Sequence, residues 1–122
     1  NRTEVKIFVY GTLKRGQPLH YALQAQTFVG EARTLQHFRL FSLGDYPGLV
    51  RAESLENGVS IEGEIWEIDA ACLAELDEIE AVEEGEYARI SMPLHEPFQD
   101  ADVEGYVYLG SVEGLEEVGT RW

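Results

Sequence analysis

The sequence predicts an α+β fold, a small mixed β-barrel of five to seven strands with two or so flanking helices. Three observations lead there. Short runs rich in β-branched and aromatic residues recur along the chain, bounded by Gly, Pro, Asn and Asp. Two stretches open like helices, one at Pro18 and one after Asp69. The 122 residues, 44% hydrophobic and 11% aromatic, suffice for one domain over 1–122 with a single sizeable core. No repeat, linker or low-complexity tract interrupts them, and the strand order does not follow from the pattern.

Taken in order, Val5, Ile7 and Val9 alternate with Lys6, Phe8 and Tyr10, which predicts a strand buried on at least one face. Tyr10-Gly11 stops it. Gly11 lacks a Cβ and lets a ligand approach the backbone closely. The following Gln17–Leu23 run reads as a helix start. A strand, a glycine loop and a helix start leave backbone N–H groups pointing outward, and such a nest attracts anions. Gly11-x4-Gly16 is half of a phosphate-loop signature, but Gln17-Pro18 stands where Lys and Ser/Thr should follow. A small carboxylate caged by Gly11, Thr12 and Leu13 fits better than a polyphosphate; the bland alternative is a tight turn and nothing more.

Residues 28–43 hold one long or two short strands, with His37 on a sheet surface. Gly44–Gly48 is a turn, and Pro47 pushes Tyr46 towards an extended conformation. Asn57-Gly58 signals a hairpin, after which Val59, Ile61, Gly63 and Ile65 mark a half-buried strand. Asp69 is placed to N-cap a helix running to Ile79 or Glu80. Strands follow over Glu86–Leu94, its end weakened to an edge by Pro93, and over Val103–Leu109. The pattern gives no assignment for 110–122.

Nine Lys and Arg against 23 Asp and Glu give a net charge of −14, which argues against nucleic acid and anionic membranes as partners. A polyphosphate would meet the same repulsion. The single cysteine, Cys72, rules out an internal disulfide and is expected to serve as a small core hydrophobe. No signal peptide or membrane-length apolar run is present, so the expected location is the cytoplasm. The chain starts at Asn1 without methionine, as expected for a processed start. No His, Cys or acid cluster stands at a metal spacing, and neither metal nor cofactor is expected. Oligomeric state is not encoded in any readable pattern.

Seven acids and no basic residue lie among Glu75, Asp77, Glu78, Glu80, Glu83, Glu84 and Glu86, most of them a solvated acidic helix end. One differs. At about 100° per residue with Leu73 at zero, Leu76 falls at about −60° and Glu80 at about −20°. Glu75 and Glu78, at about 200° and 140°, face solvent, and Asp77, at about 40°, borders the apolar stripe. A carboxylate on the core face is unfavourable unless paired, hydrogen-bonded or neutral. Burial and neighbouring acids would both raise its pKa towards the range of a general base. The alternative is a helix that frays before position 80 and turns Glu80 to water.

Tyr10-Gly11-Thr12-Leu13 after a first strand, Leu76-Asp77-x-x-Glu80, and Tyr87-x-Arg89 together resemble the gamma-glutamylcyclotransferase-like superfamily. The similarity is greatest to its small branch, the gamma-glutamylamine cyclotransferases and related antibiotic-pathway deprotecting enzymes. Lys14-Arg15-Gly16 with His20, the Tyr46-Pro47 turn, Gly63–Glu67 and Tyr106-Val107-Tyr108 extend it over Val5 to Leu109. The resemblance implies a compact barrel, a substrate loop at Tyr10–Leu13 and Glu80 as acid/base. Two departures stand out. The family commonly has Gly directly after the catalytic Glu, whereas here Ala81-Val82-Glu83-Glu84 precede Gly85, implying a longer or reshaped lid. Leu19 replaces an Asn before His20, which leaves His20 outside the predicted site.

The implied chemistry suits these residues. A gamma-glutamyl amide carries its own nucleophile, the α-amine, at five-membered-ring distance from the side-chain carbonyl, so proximity supplies much of the rate. One group, Glu80, can take the amine proton and return one to the departing amine. The loop N–H groups can hold the α-carboxylate or the developing oxyanion. The predicted site is therefore Glu80 as the catalytic residue, with Tyr10, Gly11, Thr12, Leu13, Tyr46 and Tyr87 around a small-molecule gamma-glutamyl substrate. Arg89 is expected to pair with an acid rather than touch substrate. The competing readings are a non-catalytic module that binds a small carboxylate in the same nest, and an interaction domain using its acidic face.

Overall fold

The computed structural model describes residues 4–122 and contains seven strands, one α-helix and two 3₁₀ turns. The strands are β1 (Val5–Val9), β2 (Thr27–Arg33), β3 (Phe38–Ser42), β4 (Pro47–Arg51), β5 (Glu62–Ile68), β6 (Tyr87–Ser91) and β7 (Val103–Tyr108); α1 spans Ala70–Ile79. The α+β class and strand count follow the sequence reading. The second helix does not: the Pro18 stretch yields only a 3₁₀ turn, His20–Leu23.

Five strands form one sheet in the order β2-β5-β1-β7-β6, and β3-β4 form a separate hairpin. β1 is central, antiparallel to β5 (Phe8↔Ile65) and parallel to β7 (Phe8↔Gly105). Its Ile7, Phe8 and Val9 are all buried, so the sheet is covered on both faces. Ile7 and Val9 face a cluster with Leu23, Ile68, Cys72 and Leu76, under α1 and the 3₁₀ turn. Phe8 faces the opposite cluster with Leu40, Leu49, Ile61 and Ile65, under the β3-β4 hairpin. Two-sided burial also explains why Glu64 and Trp66 on β5, which alternate with Gly63 and Ile65 of the half-buried pattern, are buried as well.

The expected barrel does not close. β5, β1 and β7 have neighbours on both sides, so the β3-β4 hairpin cannot join them; its isolated bridges run from Phe38 to Val59, ahead of β5, and from Phe41 to Glu117. The free edges β2 and β6 meet only beyond their ends, at Thr34↔Leu94. β6 stops at Ser91, just before Pro93, which has no N–H to extend a ladder.

Asn57-Gly58 makes no hairpin. It ends a 3₁₀ turn at Leu55–Asn57, and Gly58 fits against the Gln36 carbonyl where a Cβ would clash. His37 lies exposed in the connection between β2 and β3, outside either strand. The 110–122 segment lies along β3 and the start of β5. The Val118 N–H donates to Leu40 O (2.8 Å), the Glu62 N–H to Thr120 O (2.8 Å), and Arg39 pairs with Glu117 (2.6 Å). Such isolated contacts leave no periodicity to read.

At the site, helix α1 matters most. The Asp69 side chain accepts from the Cys72 N–H, as an N-cap should. At the other end Ala81 N–H donates to Glu78 O and Val82 N–H to Asp77 O, the paired bonds of a Schellman cap. The residue after the cap takes a positive φ, normally the place of glycine, but here Ala81 sits at φ 53°. The reversal that follows ends at Gly85 (φ 83°) and leads into β6.

Candidate active site

Where β1 ends, Gly11 turns the chain beneath the start of β4. A Cβ on Gly11 would lie 2.5 Å from Pro47 Cγ, so only glycine permits this approach. The loop is fixed by its own bonds: Lys14 N–H to Gly11 O (3.0 Å), Leu19 N–H to Thr12 O (2.9 Å) and His20 Nδ1 to Leu13 O (3.0 Å). The N–H groups of Gly11, Thr12 and Leu13 take no part in these bonds. His20 braces the loop from behind, its ring edge against Trp66, and does not line the cavity in front.

That cavity has a volume of about 190 Å³. Tyr10, Gly11, Thr12, Leu13, Tyr46, Tyr87 and Glu80, the seven residues singled out from the sequence, all line it. Pro47, Ile79, Glu86 and Tyr106 join them. Among the described residues, no Lys, Arg or His does. The loop's own cations turn away: Lys14 Nζ donates to Trp122 O (3.1 Å), and Arg15 Nε to Glu64 (3.0 Å).

Phenols set the walls. Tyr10 Oη donates to Tyr106 O (2.7 Å), Tyr87 Oη to Pro47 O (2.8 Å) and Tyr106 Oη to Asp77 Oδ1 (2.6 Å). Burial raises the pKa of all three, so they stay neutral donors. Behind Tyr106, Asp77 is gripped at both oxygens by Arg89 (3.2 Å each), which also pairs with Glu104 (2.8 Å). Arg89 thus pairs with acids, as expected, and Asp77 at the border of the helix stripe is spoken for.

Glu80 is the C-cap of α1. Its N–H donates to Leu76 O (2.9 Å), so the helix holds to that position and does not fray before it. Burial, and then the Glu86 carboxylate, push its carboxyl up to about 7. Glu86, read from the sequence as solvated, stands at the mouth, where Tyr46 Oη donates to its Oε2 (3.3 Å). Its role was illegible because it lies beyond the helix, where no periodicity applies. Tyr106 was visible only as one of several tyrosines. Among the described residues no group of His, Cys, Asp and Glu is arranged to hold a metal ion.

The Gly11–Leu13 backbone and the partly buried Glu80 thus line one cavity. Comparison with known proteins decides the family: the profile of gamma-glutamyl cyclotransferase, AIG2-like proteins matches residues 7–122. The chain belongs to this family. It is 39% identical over 111 residues to the gamma-glutamylcyclotransferase family protein YtfP of Citrobacter rodentium, covering 91% of this chain and 88% of that one. It is 41% identical over 81 residues to the gamma-glutamylaminecyclotransferase of Rattus norvegicus, spanning 61% of this chain and 53% of the rat protein. The crystal structure of a uropathogenic E. coli-specific protein superposes with TM-score 0.79 at 31% identity, covering 99% and 94% of the two chains. The family match includes the Gly11 loop, Glu80 and the terminal segment that packs on β3.

Proposed function

We propose that the protein is a gamma-glutamyl cyclotransferase that cyclises a gamma-glutamyl amine or amino acid derivative to 5-oxoproline, with Glu80 as general acid/base. The observation that carries this reading is the shared cavity of Glu80 and the Gly11–Leu13 backbone, with the Glu80 carboxyl poised at about 7. A group titrating there is present as base and as acid at neutral pH, and both forms are needed in one turnover.

The substrate's α-carboxylate docks on N–H groups of Gly11, Thr12 and Leu13. Its α-amine attacks the γ-carbonyl carbon, forming the ring C–N bond, and Glu80 accepts the amine proton. The oxyanion of the tetrahedral intermediate is held by a fixed donor of the loop. As the intermediate collapses, the original amide C–N bond breaks and Glu80 returns the proton to the departing amine. Tyr10, Tyr87 and Tyr106, anchored by their own hydrogen bonds, shape the walls, and no cofactor enters the scheme. The family relationship supports the reaction class. The fixed donors and the perturbed acid support the roles.

The test is 5-oxoproline release from a panel of gamma-glutamyl amines by the native protein and by Glu80→Gln. Loss of at least about a hundredfold in kcat is expected on removal of the acid/base. Undiminished turnover in the variant refutes the assignment of Glu80. Ligand retention without turnover by either form would instead identify a carboxylate-binding module.

A further inference from the structure

The mouth of the cavity constrains the departing amine. The back of the cavity is made of buried groups, Tyr10, Gly11, Leu13 and Pro47 among them, whereas Tyr46 is 40% exposed and Glu86 is half-buried. A glutamyl group whose carboxylate reaches Gly11 therefore directs the rest of the molecule outward past Glu86. There, Tyr46 Oη engages one oxygen of the Glu86 carboxylate, Oε2, at 3.3 Å. The partner is a phenol whose proton is held more tightly than usual, through burial and then the Glu86 charge. The phenol supplies a hydrogen bond to Glu86 and no positive charge.

Among the described residues, no cation offsets that charge from within the cavity. Lys14 and Arg15 are turned to the far side of the loop, and Arg89 is engaged by Asp77 and Glu104. Also near Glu86 are the phenol of Tyr87 and the carboxyl of Glu80, while Tyr108 stands beside Tyr46 and Tyr87.

We propose that Glu86 is a specificity-determining residue that favours gamma-glutamyl amides whose amine portion bears a second, distal ammonium over those ending in a carboxylate. The preferred class is a diamine acylated on one nitrogen. The inference rests on the cyclotransferase reading above and adds a direction of discrimination to it. A distal ammonium meets an unneutralised carboxylate at the exit, a distal carboxylate meets repulsion, and an alkyl tail meets neither.

Three substrates of matched length isolate the effect: gamma-glutamyl-diaminobutane, gamma-glutamyl-butylamine and gamma-glutamyl-aminobutyrate. Their distal ends are positive, neutral and negative. The kcat/KM values, read as 5-oxoproline release, are expected to fall in that order, the extremes differing by at least about tenfold. Glu86→Gln should compress the ratio between the extremes about five- to tenfold. Loss of the Glu86 charge also changes Glu80, but that change acts on all three substrates and leaves their ratio. For the native protein, raising salt from ~0.05 M to ~0.5 M should compress the same ratio, which needs no variant to fold. Equal kcat/KM across the series, or an unchanged ratio both in Glu86→Gln and at high salt, overturns the assignment while the reaction stands. Absence of 5-oxoproline from every gamma-glutamyl compound tried overturns the reaction and this inference together.

Discussion

Replacing Glu80 with Gln should stabilise the protein, by an amount that grows as pH rises from 4.5 to about 7 and then levels off. The carboxyl moves from its ordinary 4.5 to about 7 on folding, through burial and then the Glu86 charge. An acid whose folded pKa is raised binds its proton more tightly in the native state. Its contribution is therefore fully present below pH 4.5 and is lost as pH rises through about 7. The full swing is 2.5 pH units, the difference of those two values, or about 3.4 kcal/mol at 1.36 kcal/mol per unit. Roughly 2.6 kcal/mol of it falls between about pH 5 and about pH 8.5. Glutamine imitates the protonated acid in shape and lacks the titration. Urea melts of the two proteins should differ by less than about 1 kcal/mol at the lower pH. At the higher pH the variant should gain on the order of 2–3 kcal/mol. A difference independent of pH would show that Glu80 is solvated in the folded protein, and would remove the physical basis for its role as a base. A variant more stable at high pH yet inactive is the combined signature expected of an acid strained for function.

Three further changes probe the surroundings. Gly11→Ala places a Cβ 2.5 Å from Pro47 Cγ; it should cost about 1–3 kcal/mol in thermal or urea melts and raise KM sharply, whereas an acidic-face interaction domain would be indifferent to it. Ala81→Gly relieves a left-handed residue at φ 53°; with ~1–2 kcal/mol of strain removed and ~0.5–1 lost to backbone entropy, a net gain of about 0.5–1 kcal/mol should show as a higher urea midpoint. Arg89→Gln leaves the Asp77 carboxylate unneutralised one helical turn from Glu80. At ~6 Å and water's dielectric the repulsion is about 0.7 kcal/mol, so the basic form of Glu80 should appear about half a pH unit higher in the kcat/KM profile.

The site was more legible in the sequence than the fold. Glu80 could be placed because three positions on a helical wheel, Leu73, Leu76 and Glu80, share one stripe, and Asp69 fixed where the wheel begins. The Gly11 loop was legible because a strand halted by glycine has few alternatives. Closure of the sheet was not, because it depends on which edges β2 and β6 present to each other, and that is decided by pairings far apart in sequence. Asn57-Gly58 misled for a related reason. Its turn chemistry suits a hairpin, but β5 is already paired with β1 and β2, and the turn serves a close approach to Gln36 instead. Segment 110–122 packs through one bridge to β3 and single hydrogen bonds to β3 and β5, which impose no alternation.

The acidic stretch from Glu75 to Glu86 shows how partners, rather than composition, decide which charges act on the site. Asp77 is tied at both oxygens by Arg89 and receives the Tyr106 hydroxyl, so its charge is answered in place. Glu75, Glu78, Glu83 and Glu84 are exposed, where water screens them. Glu86 alone combines a place in the cavity wall with a neutral partner, and it is the one acid whose charge adds to burial in raising Glu80. Glu80 also occupies the C-terminal end of α1, where the helix dipole disfavours a negative charge. Desolvation, an unanswered acid and a helix terminus thus act in one direction at a single position. Arg89 confines that effect by keeping the nearest competing acid silent. A carboxyl poised near neutrality on so acidic a chain depends on this sorting: were Asp77 free as well, the basic form of Glu80 would appear about half a pH unit higher and be less populated at neutral pH.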